Sequence, residues 1–378
     1  MPAYLDHAYL DNAATTPMRP EAVEAMLPYL TERFGNPSGS HAVSREAKKA
    51  LEEARDVVAA ALGASPGEVV FTGGGTEADN LAVIGAHRAR PGTVVCSAVE
   101  HHAVLHATRA VGGRLAPVGA DGVVDLDALA AMLDPDVSVV AVMLANNEVG
   151  TIQPIAGVAA LARARAPEAV VVTDAVQAFP WLDVAALAGP ADLVAVSAHK
   201  FGGPKGVGAL VVRQGVQVAP IIHGGGQERD RRSGTYNVAG VVAMAAAMQA
   251  TIAQRDDTVA RVRRLRDRLA DGLLARIDGA IETGERANRV AGNCHLTFDG
   301  IEAEALLVLL DGMGVYASAG SACTSGAVEP SHVLEAMGVS RARGLGALRL
   351  SLGPTTTDAD IDLALDAVPT AVARLRDG

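Results

Sequence analysis

The chain has 378 residues, 49% of them hydrophobic, and carries 32 basic against 43 acidic side chains, a net charge of −11 at neutral pH. That length and apolar content exclude global disorder and supply cores for about two domains without a disulfide or structural metal. The acidic balance excludes a nucleic-acid surface spread over the whole molecule, no apolar run reaches the roughly 18 residues of a membrane span, and residues 1–10 lack the basic flank and apolar core of a secretory signal.

In chain order, Pro20 opens a predicted helix over 20–34, and Gly63 stops a longer one over 40–62. A short strand is predicted at 69–72, and Gly73-Gly74-Gly75 leads from it into a helix starting near Thr76. A strand over 93–97 and a helix over 101–111 follow. Residues 137–144 are apolar but for Ser138, as in a strand buried on both faces. A helix near 157–166 precedes strands at 169–173, 192–196 and 207–213. This alternation predicts an α/β fold with a mostly parallel sheet covered by helices. After Tyr236 the character changes. One long helix over 238–277 leads into segments 295–298, 302–310, 315–317, 347–352 and 358–375, which mix strand and helix signals. The expectation is a large domain at 15–256 and a smaller α+β C-terminal domain at 257–378 that takes in residues 1–14, with the long helix as hinge.

Candidate chemistry falls at strand ends. Ser197-Ala198-His199-Lys200 follows the strand 192–196. Open α/β sheets bind ligands there, and a lysine can form a Schiff base with an aldehyde cofactor; a surface lysine in a turn fits the same motif. Asp174 ends an apolar strand and needs a partner, which is equally the protonated nitrogen of a pyridine cofactor or the N–H groups of a helix it caps. The turn from Thr72 to Asn80 offers backbone N–H groups to a phosphate, or is a flexible βα loop. Glu100-His101-His102 and Asn146-Asn147-Glu148 each follow a strand. Adjacent histidines do not share a helix face. With no i,i+4 partner counted, a ring stacked on a planar cofactor is favoured over a metal site, and a solvated helix N-terminus remains open.

Of the three cysteines, Cys96 lies in a strand and Cys294 just before one, and both read as inert buried thiols. Cys323 is centred in a run of small residues, 317–326, that buries little and is expected to be mobile, which leaves its thiol available as a nucleophile. An odd, sparse set of cysteines without zinc spacing predicts a reduced, cytoplasmic protein with neither a disulfide framework nor a metal site.

Taken together in order, these segments resemble the class V aminotransferase family of fold-type I pyridoxal-phosphate enzymes, and within it the cysteine desulfurases of the NifS/IscS type. The motifs that carry the resemblance run from Tyr9-Leu10-Asp11-Asn12 and Phe34-Gly35-Asn36-Pro37-Ser38 through Thr76-Glu77-Ala78-Asp79-Asn80, Asn146-Asn147-Glu148-Val149-Gly150 and the lysine motif. They continue with His223-Gly224-Gly225-Gly226-Gln227-Glu228, Arg232-Ser233-Gly234-Thr235, Ser321-Ala322-Cys323-Thr324 and Arg349-Leu350-Ser351.

The resemblance implies that Lys200 holds pyridoxal 5′-phosphate and moves protons, that Asp174 pairs the pyridine nitrogen, and that His101 stacks on the ring and serves as acid/base. It implies that Gln177 touches the ring oxygen beside Asn147, and that Gly75, Thr76, Ser197 and His199 hold the phosphate. Thr235 would reach the phosphate of a neighbouring subunit in a homodimer. Asn36 and Arg349 would bind the carboxylate of L-cysteine, and Cys323 would take the sulfur as a persulfide, leaving alanine. The sulfur acceptor would be an iron–sulfur scaffold or a tRNA-thiolating enzyme, with no direct nucleic-acid or membrane contact. Selenocysteine lysis or another class V transamination is the alternative. Four features depart from the family pattern: Gly75 where Ala is frequent, Ala198 where Gly is frequent, Val176 where Thr or Ser is usual, and an end at Gly378 short of the longer tail of relatives that serve iron–sulfur scaffolds.

Overall fold

In the computed structural model, residues 7–319 and 331–377 are described. Strand β1 (Ala8–Tyr9) stands apart from the main sheet. The chain then lays down β2 (Val69–Thr72), β3 (Thr93–Ser97), β4 (Arg114–Ala116), β5 (Val137–Ala141), β6 (Val170–Asp174), β7 (Leu193–Ser197) and β8 (Gly208–Val212). These form a seven-stranded sheet in the order β2-β8-β7-β6-β5-β3-β4. The pairs from β7 through β6, β5, β3 to β4 are parallel, and β8 is antiparallel to both its neighbours. The reversal has a simple cause: only residues 198–207 separate β7 from β8, too few for a helical crossover of a dozen or more. Strand β2 therefore runs parallel to β7, and β2, β3, β5, β6 and β7 all end at one edge.

Both faces of the sheet are covered, which is why its central strands are largely apolar along their length rather than alternately. Val171 of β6 belongs to a core with Leu51, Val58, Val158 and Met244. Its neighbour Val172 belongs to a second core with Ala78, Leu81 and Leu105. A third core gathers Ala8, Leu10, Leu269, Leu273, Leu296, Leu306, Leu350 and Val368. It surrounds β9 (Ile281–Glu282), β10 (Asn293–Thr297), β11 (Val315–Tyr316) and β12 (Ala347–Ser351), where β12-β10-β9 form an antiparallel sheet and β1 pairs with β11. The long helix Val238–Arg276 joins the two regions. Val241 to Met248 pack into the first core, and Val262 to Leu273 into the third.

Some expected boundaries shift. The first helix covers only Pro20–Met26 and tightens into a 3₁₀ turn, Leu27–Leu30, around Pro28, which has no N–H to give. The helix after the glycine run covers Gly75–Asn80, then widens into a π turn at Leu81–Gly85. Cys294 lies within β10, not before it.

Candidate active site

The edge where the parallel strands end opens into a cavity of about 310 Å³. Its lining comes from five strand ends. The β2 end contributes Gly75 and Thr76, the β3 end His101, the β5 end Asn147, the β6 end Asp174 and Gln177, and the β7 end Ser197, His199 and Lys200. Arg349 of β12 closes it from the other region. A second cavity of about 310 Å³, lined by Trp181, Phe201 and Arg255 among others, shares Ala13, Gln177 and Lys200, so the lysine stands in the partition between the two.

The glycine loop can turn into its helix because Gly74 has φ 145°, a conformation open only to glycine. Gly208 lets β8 pass close beside it, since a Cβ there would lie 2.8 Å from the carbonyl carbon of Gly74. A Cβ on Gly75 would come within 3.0 Å of Val176 Cγ2 and 3.3 Å of Ser197 Cβ, so the missing side chain widens the cradle.

Lys200 ends a 3₁₀ turn that directly follows β7. Its Nζ donates to Ala13 O at 2.5 Å and Ala14 O at 2.9 Å. Burial, reinforced by the Arg349 guanidinium, lowers its pKa to about 8, while Asp174 and Asp11 oppose the shift. Asp174 is buried, and burial pushes its pKa up to about 6, against the pull of the Val176 N–H and of Lys200. Its Oδ1 accepts the Val176 N–H at 2.8 Å. The two readings of Asp174 are thus not exclusive, since one oxygen caps the turn and the residue still lines the cleft. Gln177 Nε2 donates to Ala13 O at 2.7 Å, on the same carbonyl that holds the lysine.

His101 caps the helix His102–Ala110, its Nδ1 accepting the Ala103 N–H at 3.1 Å. The neutral ring therefore carries its proton on Nε2. His101 is exposed at the cleft, yet the protein packed around its ring excludes enough water to lower its pKa to about 4, and the charges of Lys200, His332 and His106 add to this. The expectation of no i,i+4 histidine needs correction. His106 lies one turn beyond His102 and stacks on it with centroids 5.0 Å apart, and His332 approaches His102 to 4.8 Å. Among the described residues, the one set of three metal-capable groups that close together is Asp79, His101 and Asp174, within 4.8 Å of one another, and it is the cleft floor itself.

Arg349 is buried, with Nη2 donating to Asp11 Oδ1 at 2.9 Å, Nη1 to Asn147 O at 3.1 Å, and Nε without a partner among the described residues. His199 Nδ1 lies 3.2 Å from Thr15 Oγ1. Burial lowers its pKa to about 4, with help from Lys200 and Lys205.

Two candidates lie elsewhere. Asn36 is exposed and accepts the Ser38 N–H. Thr235 is exposed, outside the cleft lining. Its turn is tied back by Arg232, which donates to Glu77 at 2.7 and 3.2 Å, while Glu77 also accepts the Gly73 N–H. Cys323 lies outside the described residues. Cys96 and Cys294 are fully buried, and burial raises both thiols to about 12. The sequence reading missed Asp79 and Asp11; each sits in a quoted motif, but nothing local distinguishes it from a surface acid.

Residues 8–364 match the aminotransferase class-V family. The chain is 48% identical over 384 residues to an IscS-like cysteine desulfurase of Mycobacterium tuberculosis, covering 98% of this chain and 97% of that protein. It is 44% identical over 376 residues to the cysteine desulfurase IscS of Methanosarcina thermophila, covering 97% and 92%. The fold superposes on a solved NifS-like protein with a TM-score of 0.91 at 35% identity, over 97% of this chain and 100% of that one.

Proposed function

The chain belongs to the class V aminotransferase family, and we infer that it is a pyridoxal-phosphate-dependent cysteine desulfurase, which converts L-cysteine to L-alanine and passes the sulfur to an acceptor protein. The observation that carries this reading is the meeting of the Lys200 amine, the Asp174 carboxylate and the His101 ring in one cavity at the ends of parallel strands.

The residues present fit the cofactor. A carboxylate whose one oxygen is taken by a backbone N–H keeps the other for a pyridine nitrogen. A lysine with its pKa near 8 is partly a free amine at neutral pH. The opening of a helical run, flanked by Ser197 and His199, offers donors to a phosphate. When bound, pyridoxal phosphate supplies an electron sink for charge developing at the substrate's α-carbon.

The chain's own groups divide the remaining work. Lys200 Nζ takes and returns the α-proton. Asp174, ionised, keeps positive charge at the pyridine nitrogen. His101, its Nδ1 engaged by the helix, presents a flat neutral ring and an Nε2–H; it is therefore better placed to stack and to donate than to deprotonate a thiol. Gln177 and Asn147 flank the ring oxygen, and Gly75, Thr76, Ser197 and His199 hold the phosphate. Arg349 orients the substrate carboxylate through a paired contact; Asn36, exposed and outside the cleft lining of this protomer, is not placed to share that task here. The Cys323 thiolate attacks the substrate sulfur: the S–S bond of the persulfide forms as the substrate's Cβ–S bond breaks, and the electron pair of that bond stays with the carbon skeleton, which takes up protons to leave as alanine.

Thr235 reaches the phosphate of a second subunit. Its exposure on one protomer, on a turn fastened to the glycine loop through Arg232 and Glu77, supports a homodimer. The acceptor is an iron–sulfur scaffold or a tRNA-thiolating enzyme, and the setting is cytoplasmic; no helix among the described residues is long and apolar enough to cross a membrane. The division of cores supports a large domain at 15–256 and a small one at 257–378 with 1–14. Incubation with L-cysteine and a thiol reductant, without a keto acid, tests the reaction: alanine and sulfide in equal amounts support it, and a requirement for a keto acid rejects it.

A further inference from the structure

Two acidic side chains, Asp79 and Asp174, meet in the cleft, and a third, Glu100, is near enough to act on Asp79 through its charge. Asp79, on the helix Gly75–Asn80, is 1% exposed, Glu100 is fully buried, and Asp174 ends β6. Their surroundings differ. Asp174 accepts the Val176 N–H and faces the Lys200 amine. Glu100 accepts the Met143 N–H at 2.7 Å through Oε1, and its Oε2 has no partner. Asp79 lines the cleft, and its Oδ1 is buried with no donor among the described residues.

A buried carboxylate without a donor, beside two further acids, is costly, whereas a carboxylic acid is not. The charged groups facing Asp79 are Asp174 and Glu100, both of the same sign, and both raise its pKa further after burial itself. The stabilising partners, an N–H and an ammonium, reach Asp174 instead. A proton shared between the two therefore rests on Asp79. Carboxyl oxygens of the pair lie within 4.8 Å of each other, with a nitrogen of His101 equally near. That separation makes the two carboxyl groups neighbours, an arrangement in which one of the pair stays protonated.

We propose that Asp79 is a positioning residue that remains a carboxylic acid and donates a hydrogen bond to Asp174, so that the pair bears one negative charge, on the carboxylate facing the cofactor. This rests on the reading of Asp174 as the cofactor's partner, and it deepens that reading by naming what keeps Asp174 ionised in a buried site.

The test compares full-length wild type with Asp79→Asn and Asp79→Ala, each with and without cofactor. In infrared difference spectra at neutral pH, wild type should show a carboxylic-acid carbonyl band that Asp79→Asn lacks. Thermal unfolding of the cofactor-free chain gives a second readout. An acid held protonated in the fold has its pKa raised, so its contribution is intact below the unfolded value of about 3.9 and is lost as pH rises. Asp79→Asn should therefore match wild type near pH 4 and melt progressively higher toward neutral pH. With cofactor, Asp79→Ala should lose turnover about tenfold and Asp79→Asn should recover most of it, with the pH midpoint of the visible band unmoved in Asn. Absence of the acid band, a melting difference that does not depend on pH, or a midpoint that falls by a unit or more in Asp79→Asn would each overturn the proposal. Because the infrared and melting measurements need no cofactor, they judge Asp79 even if the assignment of Asp174 fails.

Discussion

Arg349 and Asp11, 338 positions apart in the chain, are joined at 2.9 Å between Nη2 and Oδ1 at the mouth of the cleft. The contact holds β12 of the small-core region against the strap that precedes the large sheet. It also leaves the guanidinium with a donor to spare, since Nε has no partner among the described residues. A substrate carboxylate would join Asp11 on the same fork. Arg349→Lys keeps a charge but loses the paired geometry. The KM for L-cysteine should rise by roughly 10–100-fold, the equivalent of about 1.5–3 kcal/mol for a hydrogen bond to a charged group, while the cofactor spectrum stays intact. An unchanged KM would remove Arg349 from the substrate site.

Lys200 should be the sole attachment point of the cofactor. Borohydride treatment of the loaded protein should fix it to the peptide containing Lys200 and no other. Because burial and Arg349 lower the amine to about 8, the rate at which the stripped protein takes up cofactor should climb as pH rises through 8 and level off above it. A rate still climbing toward pH 10 would mean an ordinary exposed lysine.

Asp174 has two jobs that two substitutions can separate. Asp174→Asn keeps an oxygen for the Val176 N–H but gives up the charge. It should melt near wild type and lose at least tenfold in turnover. Asp174→Ala gives up both and should also lose about 1 kcal/mol of stability, the usual cost of a lost cap. Wild-type turnover in the Asn variant would leave Asp174 with the capping role alone.

The buried pair Arg55–Glu228 should be structurally demanding. The two side chains meet at 2.9 and 2.7 Å, with exposures of 3% and 1%, and Glu228 also accepts the Phe71 N–H at 3.0 Å. They hold a turn in which Glu228, Arg229 and Asp230 all have left-handed φ, 51°, 59° and 63°, a conformation such residues adopt only when their surroundings enforce it. Arg55→Leu should cost about 3–5 kcal/mol in denaturant unfolding, because Glu228 is left buried and unpaired. The double variant with Glu228→Leu should cost less than the sum of the two. A loss below about 1 kcal/mol for Arg55→Leu would mean that water reaches the site.

Most of the sheet was legible because its strands are continuous apolar runs, and β2 and β3 fall where the sequence placed them. The cleft was legible for the same reason: side chains that end parallel strands must share an edge, so Asp174, Ser197 and Lys200 meet by topology alone. Two-residue strands such as β1 and β9, and one-turn helices such as His332–Ala336, escaped because they are too short to show a period. Nothing local in the sequence marks Arg55 for burial; its buried partner Glu228 comes from 173 positions away, with Val69 O and Glu52 adding to it. Asp79 was opaque in the same way, since its meaning depends on neighbours brought from β6 and the end of β3. Pairs of that kind are written in the fold, not in local spacing.

Where the sulfur goes decides the account. Cys96 and Cys294 are buried thiols held near pKa 12, poor nucleophiles at neutral pH. That leaves Cys323, which lies outside the described residues. The cofactor-loaded enzyme should be given one equivalent of L-cysteine without reductant, digested, and read by mass spectrometry alongside Cys323→Ser. The account predicts one added sulfur atom on the peptide bearing Cys323, one equivalent of alanine, and neither product from the Ser variant. Added sulfur on the Cys96 or Cys294 peptide, or normal alanine formation by Cys323→Ser, would contradict it.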